Sequence, residues 1–155
     1  MYRILADATL WKHWAGPLVT KSEWESEPDS TGAGGIRRLG RPPFMVREEI
    51  TAAEPPRHHG YRMLSGQPVR SYQADVFISD LGDPKAPGTG RGTGTGMSQG
   101  SEIEWTGTVV ALAPGTGAVM HFLLGRMVKG FARRLAAAAA AEAVAHHGPG
   151  GDPVG

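Results

Sequence analysis

The sequence predicts an α+β domain: a short helical segment, then a run of antiparallel strands, then one long helix. Three observations predict it. Apolar residues near the N-terminus recur at helical spacing. The middle of the chain divides into strand-like runs of roughly 6–11 residues separated by turn signals. The last third carries a long apolar stripe at intervals of three and four.

The opening stretch "YRILADATLWKHW" places Ile4, Leu5, Ala8, Trp11 and Trp14 at helical intervals, and Gly16-Pro17 ends it. Its shortness predicts one helix or two broken turns. Strand character follows in "TKSEWESE", "GGIRRLGR", "FMVREEITAAE", "RHHGYRMLS", "RSYQADVFIS" and "SEIEWTGTVVAL". Pro42-Pro43 and Pro55-Pro56 punctuate the third of these. Their order and spacing predict an antiparallel meander. Alternation places Tyr61 and Met63 on one side of their strand, and Tyr72, Ala74, Val76 and Ile78 on one side of the next. In the last strand Ile103, Trp105, Gly107 and Val109 share a side opposite Glu102, Glu104, Thr106 and Thr108. One sheet face is therefore apolar and needs a cover. The C-terminal segment supplies it. Met120, Leu124, Met127, Phe131 and Leu135 form one stripe, with Arg126, Lys129, Arg133 and Arg134 largely off it. The alanine run extends the helix by intrinsic propensity, and Gly148-Pro149 stop it.

The 155 residues predict a single domain over 1–147. A flexible Gly-rich loop is expected over 82–100, and a disordered tail over 148–155. Lys plus Arg number 16 and Asp plus Glu 15, a balance that argues against non-specific nucleic-acid binding. Cysteine is absent, which excludes disulfides, thiolate metal sites and cysteine nucleophiles. No secretory leader and no membrane span are legible, so a cytoplasmic location is the expectation. No cofactor and no metal are expected. "GTGRGTGTG" lacks both GxGxxG and GK[ST], and it precedes a strand instead of a helix, so it is not a phosphate loop.

Five pieces resemble, in order, the START-like polyketide cyclase/dehydrase superfamily, also called SRPBCC. They are "ILADATLWKHW", "VREEITAAEPPR", "YRMLSGQPVRSYQADV", "SEIEWTGTV" and "PGTG" leading into the long helix. The resemblance implies a helix-grip fold, a curved antiparallel sheet wrapped around the C-terminal helix with a cavity between them. Two features depart from the family pattern. The Gly-rich loop is longer than the usual turn, and the first edge strand is apparently missing, since Met1 sits almost inside the helix pattern. Either the true start lies upstream or this version lacks that strand. A missing strand leaves a neighbour's backbone unpaired, so homodimerisation through the exposed sheet edge is expected.

Within such a cavity the resemblance implies a ligand-binding wall of Tyr61, Met63, Tyr72 and Trp105 from the sheet. Met120, Leu124, Met127 and Phe131 face them from the helix. Trp11 and Trp14 either cap the mouth or anchor the short helix to the sheet. The same side chains would also suit a filled core. His59, with the parity of Tyr61, is a catalytic candidate together with Tyr61 and Tyr72. A surface or internally satisfied histidine is the plainer reading. His58 points the other way, so the pair cannot share a metal. Glu48 and Glu49 beside Arg47, like Arg62, Arg70 and Asp75, read as a solvated face with cross-strand ion pairs.

Three functions compete. The first is binding of a small hydrophobic or aromatic molecule. The second is a polyketide cyclase/dehydratase-type reaction that shapes a reactive chain. The third is a protein–protein interaction module using the sheet edge or the Gly-rich loop.

Overall fold

A computed structural model describes residues 1–66, 69–80, 101–112 and 115–146. The expected Gly-rich loop 82–100 and tail 148–155 lie outside the described residues. The N-terminal segment forms two broken turns. Helix α1 spans Tyr2–Ala6, a 3-10 turn spans Ala8–Leu10, and α2 spans Trp11–Trp14. Asp7 sets the break, its carboxylate accepting from the Thr9 amide at 2.8 Å in place of a continued helical bond.

Six strands follow: β1 (Lys21–Ser26), β2 (Ile36–Arg41), β3 (Phe44–Glu54), β4 (His58–Ser65), β5 (Val69–Asp80) and β6 (Ser101–Ala111). They pair in sequence order as one antiparallel sheet, with β1 and β6 at its edges. Among the described residues no strand precedes α1. Register shifts between Trp24 and Ser26, around Glu48 and Ile50 in β3, and between Val69 and Ser71 mark bulges. Such extra residues bend the strands that carry them, and so curve the sheet.

Helix α3 (Gly117–His146) packs along β6 and against α1 and α2. The arrangement is the helix grip that the resemblance implies. Phe131 and Leu135 are buried, while Met120, Leu124 and Met127 higher on the same stripe are half-buried. Phe131 packs edge-on to Trp11 and Trp14, with ring centroids 5.7 and 6.3 Å away. Near its middle the helix is tied down by Arg134, whose Nη1 donates to the Ala15 carbonyl at 3.2 Å. That guanidinium lies over Gly16, which has a φ of +89°, so a β-carbon there would come within 2.6 Å of it. Beyond it, Arg3 pairs with Glu142 at 2.5 Å. The C-terminal half of α3 is thus held by the N-terminal segment, and the N-terminal half stands over the sheet.

The outer sheet face is as polar as expected. Arg62 pairs with Glu49 at 2.7 Å, Arg47 pairs with Glu25, and His58 stacks on Phe77 while its Nε2 meets Asp75 at 2.9 Å. One expectation fails. Glu48 is not on that solvated face. It is buried on the inner face, directly opposite Arg37 of β2. The parity it shares with buried Ile50 overrides its charge, and Arg37 makes that burial tolerable.

Candidate functional site

The inner face carries Leu39, Val46, Ile50, Tyr61, Tyr72, Ala74 and Val76, as alternation requires. Because α3 lies along β6, this face is not fully covered over β2–β4. A cavity of about 130 Å³ opens there. Leu39, Val46, Glu48, Tyr61 and Met63 form its sheet side, and Met127, Val128 and Phe131 its helix side. Trp11 supplies an end wall. Leu18 and Phe44 line it as well, and at 57% and 82% exposure they mark its mouth.

A second cavity of about 130 Å³ lies along β6. Tyr72, Trp105, Gly107 and Val109 face His121, Leu124, Gly125 and Val128 across it. Gly107 leaves room for the Tyr72 ring, whose hydroxyl would stand 3.0 Å from a β-carbon at that position. Val128 borders both cavities. Between them the Trp105 Nε1 donates to the Tyr61 hydroxyl at 3.2 Å, with the rings nearly perpendicular. Two larger hollows are open grooves. One, of about 760 Å³, is lined largely by the outer polar face, including Arg62, Gln73, Asp75 and Thr106. The other, of about 600 Å³, runs past His13, Trp14, Gly16 and Arg134. Neither offers the enclosed apolar contact of the two smaller spaces.

The anticipated wall residues fall into place unevenly. Trp11, Tyr61, Met63, Met127 and Phe131 meet at the first cavity, and Tyr72, Trp105 and Leu124 at the second. Met120 packs against the core but lines neither. The two tryptophans anchor the N-terminal turns. Trp11 Nε1 donates to the Leu5 carbonyl at 2.8 Å and Trp14 Nε1 to the Ile4 carbonyl at 3.2 Å. Trp11 also faces the cavity, whereas Trp14 borders the outer groove.

Arg37 and Glu48 are the functional candidates that reasoning from residue type passed over. Arg37 is fully buried, its Nε donating to Glu48 Oε2 at 2.8 Å and its Nη1 to the Leu5 carbonyl at 3.3 Å. Its guanidinium carbon lies 4.3 Å from the Trp11 ring centre and 4.8 Å from that of Tyr61. The third nitrogen, Nη2, is buried and has no hydrogen-bond partner among the described residues. Burial pushes the Glu48 carboxyl up, and Arg37 opposes that shift. Arg37 supplies the opposite charge, so the pair is least costly with Glu48 ionised. Strand parity was the signal available, since Arg37 alternates with Leu39 and Glu48 with Val46 and Ile50.

Burial also drives the Tyr61 phenol well above its usual range and raises that of Tyr72. Both are neutral at neutral pH. His59 is neither on the surface nor internally satisfied, as the plainer reading had it. It is buried beside Tyr2, with ring centroids 6.0 Å apart, and neither ring nitrogen has a partner among the described residues. Burial first, then Arg37 and His58, push its pKa down to about 3. It lines neither of the two cavities.

A family model described as polyketide cyclase/dehydrase and lipid transport matches residues 1–142. No curated protein matches the chain.

Proposed function

The chain belongs to the polyketide cyclase/dehydrase and lipid transport family, and from that premise we propose that it binds a small hydrophobic or aromatic molecule between the sheet and α3. The paired cavities meeting at Val128 carry this reading. An apolar cavity of roughly 150 Å³ accepts benzene in other proteins, so each space is sized for about one ring. Aromatic and methionine walls provide broad, adaptable contact. Displacing the Tyr61–Trp105 partition would join the spaces for a longer guest.

Binding is favoured over a cyclase or dehydratase reaction by the state of the candidate catalytic groups. Tyr61 and Tyr72 are neutral phenols, and neutral His59 lies away from both cavities. They do not make an acid–base pair across a bound guest. The interaction-module reading rests on the sheet edge and on residues outside those described.

Val128→Trp tests the proposal, because one indole at that position intrudes on both spaces. Toluene at about 100 times its dissociation constant is expected to stabilise the parent protein by roughly 2.7 kcal/mol, read as a rise in melting temperature. The variant, still melting cooperatively, should show no such rise. No response of the parent to toluene or naphthalene, or an equal response of the variant, would overturn the proposal.

A further inference from the structure

Among the described residues Glu48 is the one charged side chain on the wall of the first cavity, where the others are apolar or aromatic apart from the Tyr61 hydroxyl. Resting on the binding reading above, we infer that the ligand is a hydroxylated ring or chain whose O–H donates to the Glu48 carboxylate at that wall. Arg37 Nε occupies Oε2, which leaves the carboxylate with acceptor capacity, since it offers about four lone-pair sites. The pair is a poor device for stability alone. A buried ion pair is commonly matched or surpassed by apolar side chains of similar volume. Here it is also imperfect, because among the described residues Arg37 Nη2 has no hydrogen-bond partner. What the arrangement does provide is orientation. Arg37 is held between the Trp11 and Tyr61 rings and by the Leu5 carbonyl, so it holds the carboxylate fixed against the cavity.

The chemistry narrows the ligand further. Arg37 and Glu48 together carry no net charge. An amine would bring an uncompensated charge into an apolar space, whereas a neutral hydroxyl adds no charge and its bond to the carboxylate offsets its desolvation. A hydrocarbon would leave the carboxylate with its Arg37 bond alone and its remaining acceptor sites unused, so the site discriminates against the analogue that lacks the hydroxyl.

Titration calorimetry with phenol, anisole and toluene tests this. Anisole keeps the oxygen but has no proton to donate. The parent protein should bind phenol roughly tenfold or more tighter than either analogue, the range expected for a hydrogen bond to a charged group. In Arg37→Met/Glu48→Met the ratio of phenol to toluene affinity should fall towards one. Glu48→Gln, whose amide oxygen accepts more weakly, should give an intermediate ratio and serves if the double variant does not fold. Equal binding of all three by the parent would overturn this inference and leave the binding proposal standing. Anisole binding as tightly as phenol, or a ratio unchanged in the variants, would also overturn it. Binding of none of the three would instead count against the cavity proposal itself.

Discussion

Arg37→Ala is expected to lower the unfolding free energy by about 3–5 kcal/mol at neutral pH, the usual result of removing one partner from a buried ion pair. The loss arises chiefly from what is left behind. Glu48 would remain buried on the inner face with its compensating charge gone. The Leu5 carbonyl would lose a donor, and the Trp11 and Tyr61 rings the cation stacked on them. Replacing both partners with methionine should cost far less, because no uncompensated charge remains. A cycle in urea of Arg37→Met, Glu48→Met and the double variant should therefore show strong non-additivity. The deficit of Arg37→Ala relative to the parent should shrink as the buffer is made more acidic, since a protonated carboxyl is cheaper to bury. A loss under about 1 kcal/mol, the scale of an exposed pair, would mean that the two side chains are in water.

Lowering the pH should destabilise the protein through His59. Its pKa is 6.5 when unperturbed and about 3 in the folded protein. Below 6.5 the unfolded chain takes up a proton that the folded one refuses, so stability falls as pH falls. The contribution is fully present above 6.5, declines by about 1.4 kcal/mol per pH unit below it, and is exhausted near the folded value. His59→Phe removes the group while keeping a planar ring among Tyr2 and Tyr61. Between pH 7 and pH 5 the parent should lose roughly 2 kcal/mol more than this variant. Parallel stability curves would show that the imidazole is solvated or paired.

The sequence and the structure part company where side-chain chemistry and strand geometry disagree. Strand limits were legible because prolines and glycines fall between the runs, and because a period of two is hard to mistake over "YQADVFI". The inner-face positions of Tyr61, Met63, Tyr72 and Trp105 followed from the same alternation. Arg37 and Glu48 obey it too, yet their charge suggests solvent. The contacts that make them tolerable, from Leu5 and Trp11, come from more than twenty residues away in the chain. His59 has the correct parity, but no local pattern shows that a buried imidazole will lack partners. The division of the interior into two spaces depends on where α3 lies. The stripe from Met120 to Leu135 says which face of the helix turns inward. It does not say that the helix is tied from Phe131 onward by Trp11, Trp14, Ala15 and Arg3, with Met127 and Val128 lining a gap.

That gap is tested most directly by pressurising a crystal of the unliganded protein with xenon, which enters dry apolar cavities without needing a hydrogen bond. Anomalous density between Trp11, Tyr61 and Phe131, with a second peak beside Trp105 and Leu124, is the predicted result. Side chains closed over both positions, with no xenon at either, would contradict an open interior between sheet and helix.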